Sequence, residues 1–226
     1  MVQYIGFHLT PNEFHDNIAP FVAILMFTKA TTEMGRPKEF DVDTAVDKAM
    51  TLFWQKGYEA TSIQDLEAHL GIGRRSLYNT FKSKHDLFID ALDRYLEISH
   101  GAMAISDEAW ASPKAAIRAI FEEIVAQAVM DSDRKGCLML NCTLELAGQD
   151  DAVTSRAESS FQDLVSTFSN LLDQAQKLGE LSTEHDARTL AHFLANTIFG
   201  IRAMAKVKPD QQVLTDVIDT TLSVLN

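Results

Sequence analysis

Residues 57–87 of the chain read GYEATSIQDLEAHLGIGRRSLYNTFKSKHDL. Apolar residues recur in this stretch at helical spacing in two groups: Ile63, Leu66 and Leu70, then Leu77 and Phe81. Between the two groups stands Gly71-Ile72-Gly73, which is too short for anything other than a tight turn. The stretch therefore predicts a short helix, a glycine turn and a second short helix from Arg74 to Phe81.

Residues before the turn predict one more helix and a capped start for the next. One helical face from about Asp43 onward carries apolar residues at i, i+3, i+4 and i+7, namely Val46, Ala49, Met50 and Phe53. Gly57 follows Lys56 and suits a helix end. Thr61 fits an N-cap, and Gln64 then occupies the third helical position of a capping box. Three helices are thus predicted before residue 82.

The remainder of the chain also predicts helices and no strands, because no alternating pattern bounded by hairpin turns occurs. The later predicted helices run over Lys84–Met103, Pro113–Met130, Cys137–Ala147, Asp150–Leu178, Thr183–Lys206 and Pro209–Asn226. The fold class is therefore all-α, with about nine helices in total. A three-helix helix-turn-helix domain precedes a larger helical bundle.

Charge is distributed unevenly along the chain, whose formal net charge is −12 at pH 7. Residues 86–226 carry eleven Lys and Arg against twenty-two acids, whereas residues 34–85 carry eight against seven. Within residues 71–85 there are four Lys and Arg and no acid. Such a local basic segment in an acidic protein is typical of a phosphate-facing surface, and a solvated helix face is the simpler alternative.

These observations predict three parts of the chain. Residues 1–33 form an N-terminal extension to which we assign no function. Residues 34–85 form a helix-turn-helix domain whose basic segment suits DNA, and residues 86–226 form a larger, acidic helical domain. The outward side of the second short helix carries hydrogen-bonding side chains suited to phosphates and base edges: Arg74, Arg75, Ser76, Tyr78, Asn79 and Thr80.

The same region resembles a known family. The pattern is Phe53-x3-Gly57-x3-Thr61-Ser62-Ile63-x2-Leu66-x3-Leu70-Gly71-Ile72-x4-Leu77-Tyr78-x2-Phe81-x-Ser83-Lys84-x2-Leu87. It is similar to the TetR-family DNA-binding domain, which implies that residues 34–85 bind DNA. The long helical remainder, residues 86–226, resembles the family's ligand-binding and dimerisation domain in layout. The resemblance implies a homodimeric transcriptional repressor that binds a double-stranded DNA operator and releases it when a small molecule binds.

The resemblance also implies roles for individual residues. Side chains at phosphates would be Thr61, Ser62, Tyr78, Lys82 and Lys84, and side chains at base edges would be Arg75, Ser76 and Asn79. Two positions depart from the family's pattern. Gly73 stands where a Ser or Thr N-cap is usual and supplies no side-chain acceptor. Arg75 stands where a small residue is common, and its guanidinium suits either guanine or a phosphate.

Candidate residues in the second domain are apolar or aromatic. The expected lining of an effector pocket is Phe121, Met139, Phe161, Phe168 and His192, although a core role is the simpler alternative for each. The expected dimer interface lies on the last two helices, at Leu190, Phe193, Leu194, Ile198, Val217 and Leu222. Burial of those two helices within one chain is the alternative.

Other functions are less well supported by the sequence. No glycine-rich phosphate loop, nucleophile elbow or metalloprotease motif is visible, so we expect neither an enzyme nor a cofactor. Histidines and cysteines lack metal-ligand spacing. No apolar run is long enough to cross a membrane, and we expect a cytoplasmic protein. Two alternatives stay open: a helical adaptor that binds only protein, and a thiol sensor variant in which Arg134 and Lys135 activate Cys137.

Overall fold

The computed structural model describes residues 40–102, 112–207 and 210–225. Regular structure within those ranges is entirely α-helical, so the predicted all-α class is confirmed. The described helices are α1 (Val42–Lys56), α2 (Ile63–Leu70), α3 (Arg74–Phe81), α4 (Lys84–Ala102), α5 (Pro113–Met130), α6 (Leu138–Leu146), α7 (Asp151–Lys177), α8 (Ala187–Val207) and α9 (Gln211–Ser223). Met103, Pro209 and Asn226, at which predicted helices began or ended, lie outside the described residues.

Helix α1 begins and ends at residues that satisfy its free backbone groups. The carboxylate of Asp41 accepts a hydrogen bond from the backbone N–H of Thr44 at 2.7 Å. Gly57 follows the last residue of α1 with a φ of 85°, and its N–H donates to the carbonyl of Phe53 at 2.8 Å. Residues with a side chain are disfavoured at that φ, whereas glycine adopts it readily. Gly57 therefore ends α1, as predicted.

Helix α2 has a capping box, but it starts one residue later than the sequence pattern predicted. The hydroxyl of Ser62 accepts from the backbone N–H of Asp65 at 3.1 Å, and the Asp65 carboxylate accepts from the N–H of Ser62 at 2.9 Å. The predicted pairing of Thr61 with Gln64 is therefore wrong. Thr61 is fully buried, and its hydroxyl donates to the carbonyl of Gly57 at 2.6 Å, so it faces the core.

The turn between α2 and α3 has the predicted geometry. Gly71 ends α2 in the left-handed conformation, with a φ of 73°. Gly73 is the N-cap of α3 and supplies no side-chain hydrogen bond, as expected from its lack of a side chain. Leu77 and Phe81 are both buried, so α3 turns its polar side outward. The helix-turn-helix is confirmed.

Two apolar cores hold the chain together. The first consists of α1 to α4, α6 and the start of α7, with the Phe53 and Phe88 rings edge-to-face at 5.2 Å between centroids. The second consists of α5, α7, α8 and α9, where the rings of Phe121 and Phe168 stack at 5.8 Å. Each fully buried phenylalanine stabilises the fold by about 2 to 3 kcal/mol relative to an exposed one. Helix α7 thus contributes to both cores, with Val153 in the first and Phe168 in the second.

The predicted start of the eighth helix is corrected by the structure. Helix α8 begins at Ala187 and not at Thr183. The carboxylate of Asp186 accepts from the N–H of Thr189 at 2.8 Å, as an N-cap does, whereas residues 183–186 form a polar turn. The last helix likewise begins after Asp210, whose carboxylate accepts from two backbone N–H groups of α9.

Half of the residues expected at a dimer interface are core residues of a single chain. Leu194, Ile198 and Leu222 are buried in the second core, so their side chains cannot contact a partner. Leu190 and Val217 are partly buried against the same core, and Phe193 is exposed. The apolar faces of α8 and α9 are wide because they cover α5 and α7, which the sequence pattern alone does not distinguish from an interface.

Candidate nucleic-acid interface

The outward side of α3 is basic and accessible. Its exposed side chains are those of Arg74, Arg75, Tyr78 and Asn79, and the half-buried ones are those of Ser76 and Thr80. At the N-terminal end of α2, Ser62 is exposed while Thr61 is buried. The structure therefore brings the predicted DNA-contacting side chains to one surface, with the exception of Thr61.

Lys82 occupies a strained corner between α3 and α4. Its φ is 61° and its ψ is −49°, and the N–H of Ser83 donates to the carbonyl of Phe81 at 2.6 Å, which closes a γ-turn around it. This backbone conformation is rare and unfavourable for a residue with a side chain. A lysine is nevertheless present there, and it is exposed next to the basic side of α3.

The ammonium group of Lys84 lies over an aromatic ring. Its Nζ is 4.2 Å from the centroid of the Tyr58 ring, which favours a cation–π contact. Burial, together with the negative charges of Glu59 and Asp150, raises the pKa of Tyr58 above its ordinary value, so its phenol stays neutral. Tyr58 thereby restricts Lys84 to one region at the start of α4. The sequence did not single out Tyr58, because no local pattern reports a contact between residues 26 positions apart.

Two acids near α3 in the sequence, Asp65 and Asp86, have partners in the structure. The Lys56 ammonium lies 2.8 Å from the Asp65 carboxylate. Hydrogen bonds from Lys56 and Ser62 hold the pKa of Asp65 well below its ordinary value. Asp86 accepts from the backbone-capping hydroxyl of Ser83 at 2.7 Å. Both carboxylates are therefore engaged in local contacts, and α3 itself carries Arg74 and Arg75 and no acid.

The five residues expected to line an effector pocket do not lie together. Phe121 and Phe168 are buried in the second core, and Met139 is buried in the first. The Phe161 ring is exposed, and it stacks on the rings of His192 and Phe199 at the surface. The predicted pocket is therefore wrong. The five side chains are chemically similar, but they belong to two separate cores and to the surface.

Two open clefts are present at other places. The larger, of about 680 Å³, lies between α7 and the turn before α8 and is lined mainly by polar side chains, among them Ser166, Asp173 and Arg188. The smaller, of about 320 Å³, lies between α5 and α9 and is lined by side chains that include Val125, Val129 and Ile218. Only the smaller has the apolar lining that the sequence led us to expect.

Cys137 is the N-cap of α6, and three donors converge on its sulfur. They are the Tyr95 hydroxyl at 3.4 Å, the Leu140 N–H at 3.4 Å and the Arg202 guanidinium at 3.3 Å. The lysine and arginine that precede Cys137 in sequence point elsewhere: Lys135 binds Asp131. The positive charge near the thiol therefore comes from a helix that the sequence did not associate with it.

In the part of the chain that the structure describes, no three side chains of His, Cys, Asp or Glu are placed to hold a metal ion. None of the described helices combines the length and apolar character that crossing a membrane requires.

Comparison with known proteins gives matches over both parts of the chain. Residues 45–91 match the family described as "Bacterial regulatory proteins, tetR family", and residues 113–221 match "Tetracyclin repressor-like, C-terminal domain". The uncharacterized HTH-type transcriptional regulator YezE of Bacillus subtilis is 40% identical over 195 residues, which are 85% of this chain and 100% of YezE. The HTH-type transcriptional repressor ComR of Escherichia coli is 36% identical over 193 residues, 83% of this chain and 90% of ComR.

A solved structure is also similar. A cysteine mutant of the TetR family transcriptional regulator CifR, complexed with 26 bp double-strand operator DNA, has a TM-score of 0.73 and 28% sequence identity. The match covers 85% of this chain and all of the CifR chain.

Proposed function

We propose that this chain, which belongs to the TetR family of bacterial regulatory proteins, represses transcription by binding an operator as a homodimer and leaves it when a small molecule binds. The observation that carries the proposal is the exposed, acid-free side of α3 behind a glycine turn. That geometry lets a second helix enter the major groove of DNA while the first crosses the backbone. We assign it no enzymatic reaction and expect it to act in the cytoplasm, where bacterial DNA lies.

The contacts follow from where each side chain lies. We assign phosphate contacts to Ser62, Tyr78, Lys82 and Lys84, which surround α3 at its edges. Base-edge contacts are assigned to Arg75, Ser76 and Asn79, which lie on its outward side. The Arg74 Cζ is 5.8 Å from the Tyr78 ring centroid. We expect the guanidinium to order that ring beside the DNA backbone. Thr61 is removed from the set, because it is buried.

A dimer interface on α8 replaces the one expected from the sequence. Phe193 is 44% exposed and Met204 42% exposed. Together with Thr197, Gly200 and Val207 they recur at alternating spacings of four and three, which forms one apolar seam along α8. Exposed apolar side chains of this size indicate an interaction surface. We propose that a second copy of the chain covers this seam and so pairs two α3 helices.

Salt-dependent binding to DNA tests the function. The wild type should bind a random duplex weakly, with an affinity that falls steeply between about 50 and 200 mM salt, and a selected operator much more tightly. The double variant Arg74→Ala/Arg75→Ala should bind neither the random duplex nor the operator. Arg188 is an exposed arginine on α8, and Arg188→Ala should bind both duplexes as the wild type does. A wild type without salt-dependent binding to any duplex supports the adaptor function instead.

The surroundings of Cys137 favour a second candidate, in which an oxidant or electrophile replaces the reversible effector. Three hydrogen-bond donors, one of them cationic, surround its sulfur, and the thiolate is the reactive form of a cysteine. Cys142 differs: burial and the nearby Glu145 raise its pKa to about 12. Alkylation followed by mass spectrometry should label Cys137 before Cys142, and Cys137→Ser should abolish release of DNA by peroxide. Equal labelling of both thiols, or release by peroxide from Cys137→Ser, contradicts this candidate.

A further inference from the structure

A single carboxylate joins the helix-turn-helix to α6. Glu145 lies near the end of α6, and its two oxygens accept from consecutive backbone N–H groups, that of Tyr58 at 3.1 Å and that of Glu59 at 2.8 Å. These donors belong to the turn between α1 and α2, 86 and 87 residues away in sequence. Hydrogen bonds to an ionised acceptor are stronger than those between neutral groups. The turn is therefore held by a charged side chain from another part of the chain.

The close approach depends on the glycine before the turn. A Cβ atom added to Gly57 would lie 3.0 Å from an oxygen of Glu145. A side chain there would displace the carboxylate, in addition to straining the backbone at its φ of 85°. Gly57 therefore both ends α1 and leaves room for Glu145.

Tyr58 connects this contact to the DNA-facing surface. Its backbone N–H is held by Glu145, while its ring lies under the Lys84 ammonium at 4.2 Å and packs on Phe88 at 4.6 Å. Any rotation of the turn would move the ring, and with it the contact that orients the Lys84 ammonium. The position of a phosphate-contacting lysine thus depends on a carboxylate that is not on the DNA-facing surface.

The other end of α6 is held as well. The Trp54 indole N–H donates to the carbonyl of Gly136 at 3.0 Å, so α1 is also joined to the segment that leads into α6. At that same end, Arg202 of α8 lies 3.3 Å from the sulfur of Cys137. Helix α6 therefore contacts the helix-turn-helix at both ends and α8 at one.

From this geometry we propose that Glu145 is a positioning residue for DNA binding. It fixes the α1–α2 turn, and with it the Tyr58 ring beside Lys84, in the arrangement that binds DNA. The inference rests on the proposed DNA-binding function. Without Glu145 the helix-turn-helix must be ordered when DNA binds, and that ordering opposes binding on every sequence.

Variants of Glu145 test the proposal. Glu145→Gln replaces one acceptor oxygen by an NH₂ group, and Glu145→Asp keeps the charge but shortens the reach. Both should accelerate amide hydrogen exchange at Tyr58 and Glu59 and weaken binding to random and operator duplexes alike, by about 3- to 10-fold. Glu158→Gln, an exposed glutamate on α7, should change neither quantity. Thermal unfolding should show that every variant is folded at the assay temperature.

Two further readouts separate positioning from a general loss of structure. The salt slope of Glu145→Gln should equal that of the wild type, because the number of phosphate contacts is unchanged. In a Lys84→Ala background, the effect of Glu145→Gln on affinity should be smaller, because we propose that Glu145 acts on DNA binding through Tyr58 and Lys84.

Three outcomes overturn the proposal: unchanged affinity despite faster exchange, tighter binding by Glu145→Gln, and full additivity with Lys84→Ala. A wild type that binds no duplex instead contradicts the proposed function. In that case the exchange rates at Tyr58 and Glu59 still show whether Glu145 holds the turn.

Discussion

At the level of single residues, Lys82 shows local strain at a position that we propose contacts DNA. A glycine at this position would relieve the backbone strain of the γ-turn. An alanine would keep the strain and remove only the positive charge. We therefore expect Lys82→Gly to raise the free energy of unfolding by about 1 kcal/mol, and Lys82→Ala to leave it nearly unchanged. Chemical denaturation of the three proteins measures this difference.

The same pair of variants tests the phosphate contact. Both lack the ammonium group, so both should bind DNA more weakly on every sequence and lower the salt slope by about one. A stabilised Lys82→Gly that binds DNA as tightly as the wild type would show that Lys82 is strained without contacting phosphate.

At the scale of elements, the capping box of α2 predicts a dependence on pH. Because the folded-state pKa of Asp65 is lowered, its contribution to stability is complete above the ordinary value of about 4 and is lost as the pH falls towards the folded value. The free energy of unfolding should therefore decrease below about pH 4 more steeply in the wild type than in Asp65→Asn. Identical acid profiles would mean that the capping box contributes nothing measurable.

At the scale of the whole molecule, the seam on α8 decides the oligomeric state. Phe193→Asp would place a charge in the proposed interface, and burial of an unpaired charge is strongly unfavourable. Sedimentation should show a folded monomer that binds operator at least about 10-fold more weakly, because one α3 helix replaces two. Leu144→Asp, at an apolar side chain on α6 that is 79% exposed, should stay dimeric. A monomeric wild type at micromolar concentration excludes the seam as a dimer interface.

Release of DNA by a small molecule is a coupling between two sites, and such a coupling is reciprocal. Any compound that a screen identifies by release of labelled operator should itself bind less tightly when operator is present, by the same factor. We expect a coupling on the order of 1–3 kcal/mol. Calorimetry with and without operator duplex measures it, and equal affinities in the two titrations would indicate direct competition at α3.

Local sequence patterns were sufficient to predict the helix-turn-helix and the polar, outward side of α3. Gly71, Gly73 and the apolar spacing of Leu77 and Phe81 are local features, because a turn and a helical face depend on neighbours within a few positions. The capping box was placed one residue early, since Thr61 and Ser62 are both good N-caps and only the packing of Thr61 into the core selects between them.

Contacts between side chains far apart in the sequence depend on the folded chain. Leu222 and Phe193 are both apolar residues of predicted helices, yet Leu222 is buried in the second core while Phe193 is 44% exposed. Helical periodicity shows that a face is apolar and not what covers it. In the same way, Glu145 and Arg202 reach residues far away in sequence, Tyr58 and Cys137 respectively, and no local pattern reports such contacts. The hydrogen bonds between Glu145 of α6 and the α1–α2 turn therefore become visible only in the folded chain.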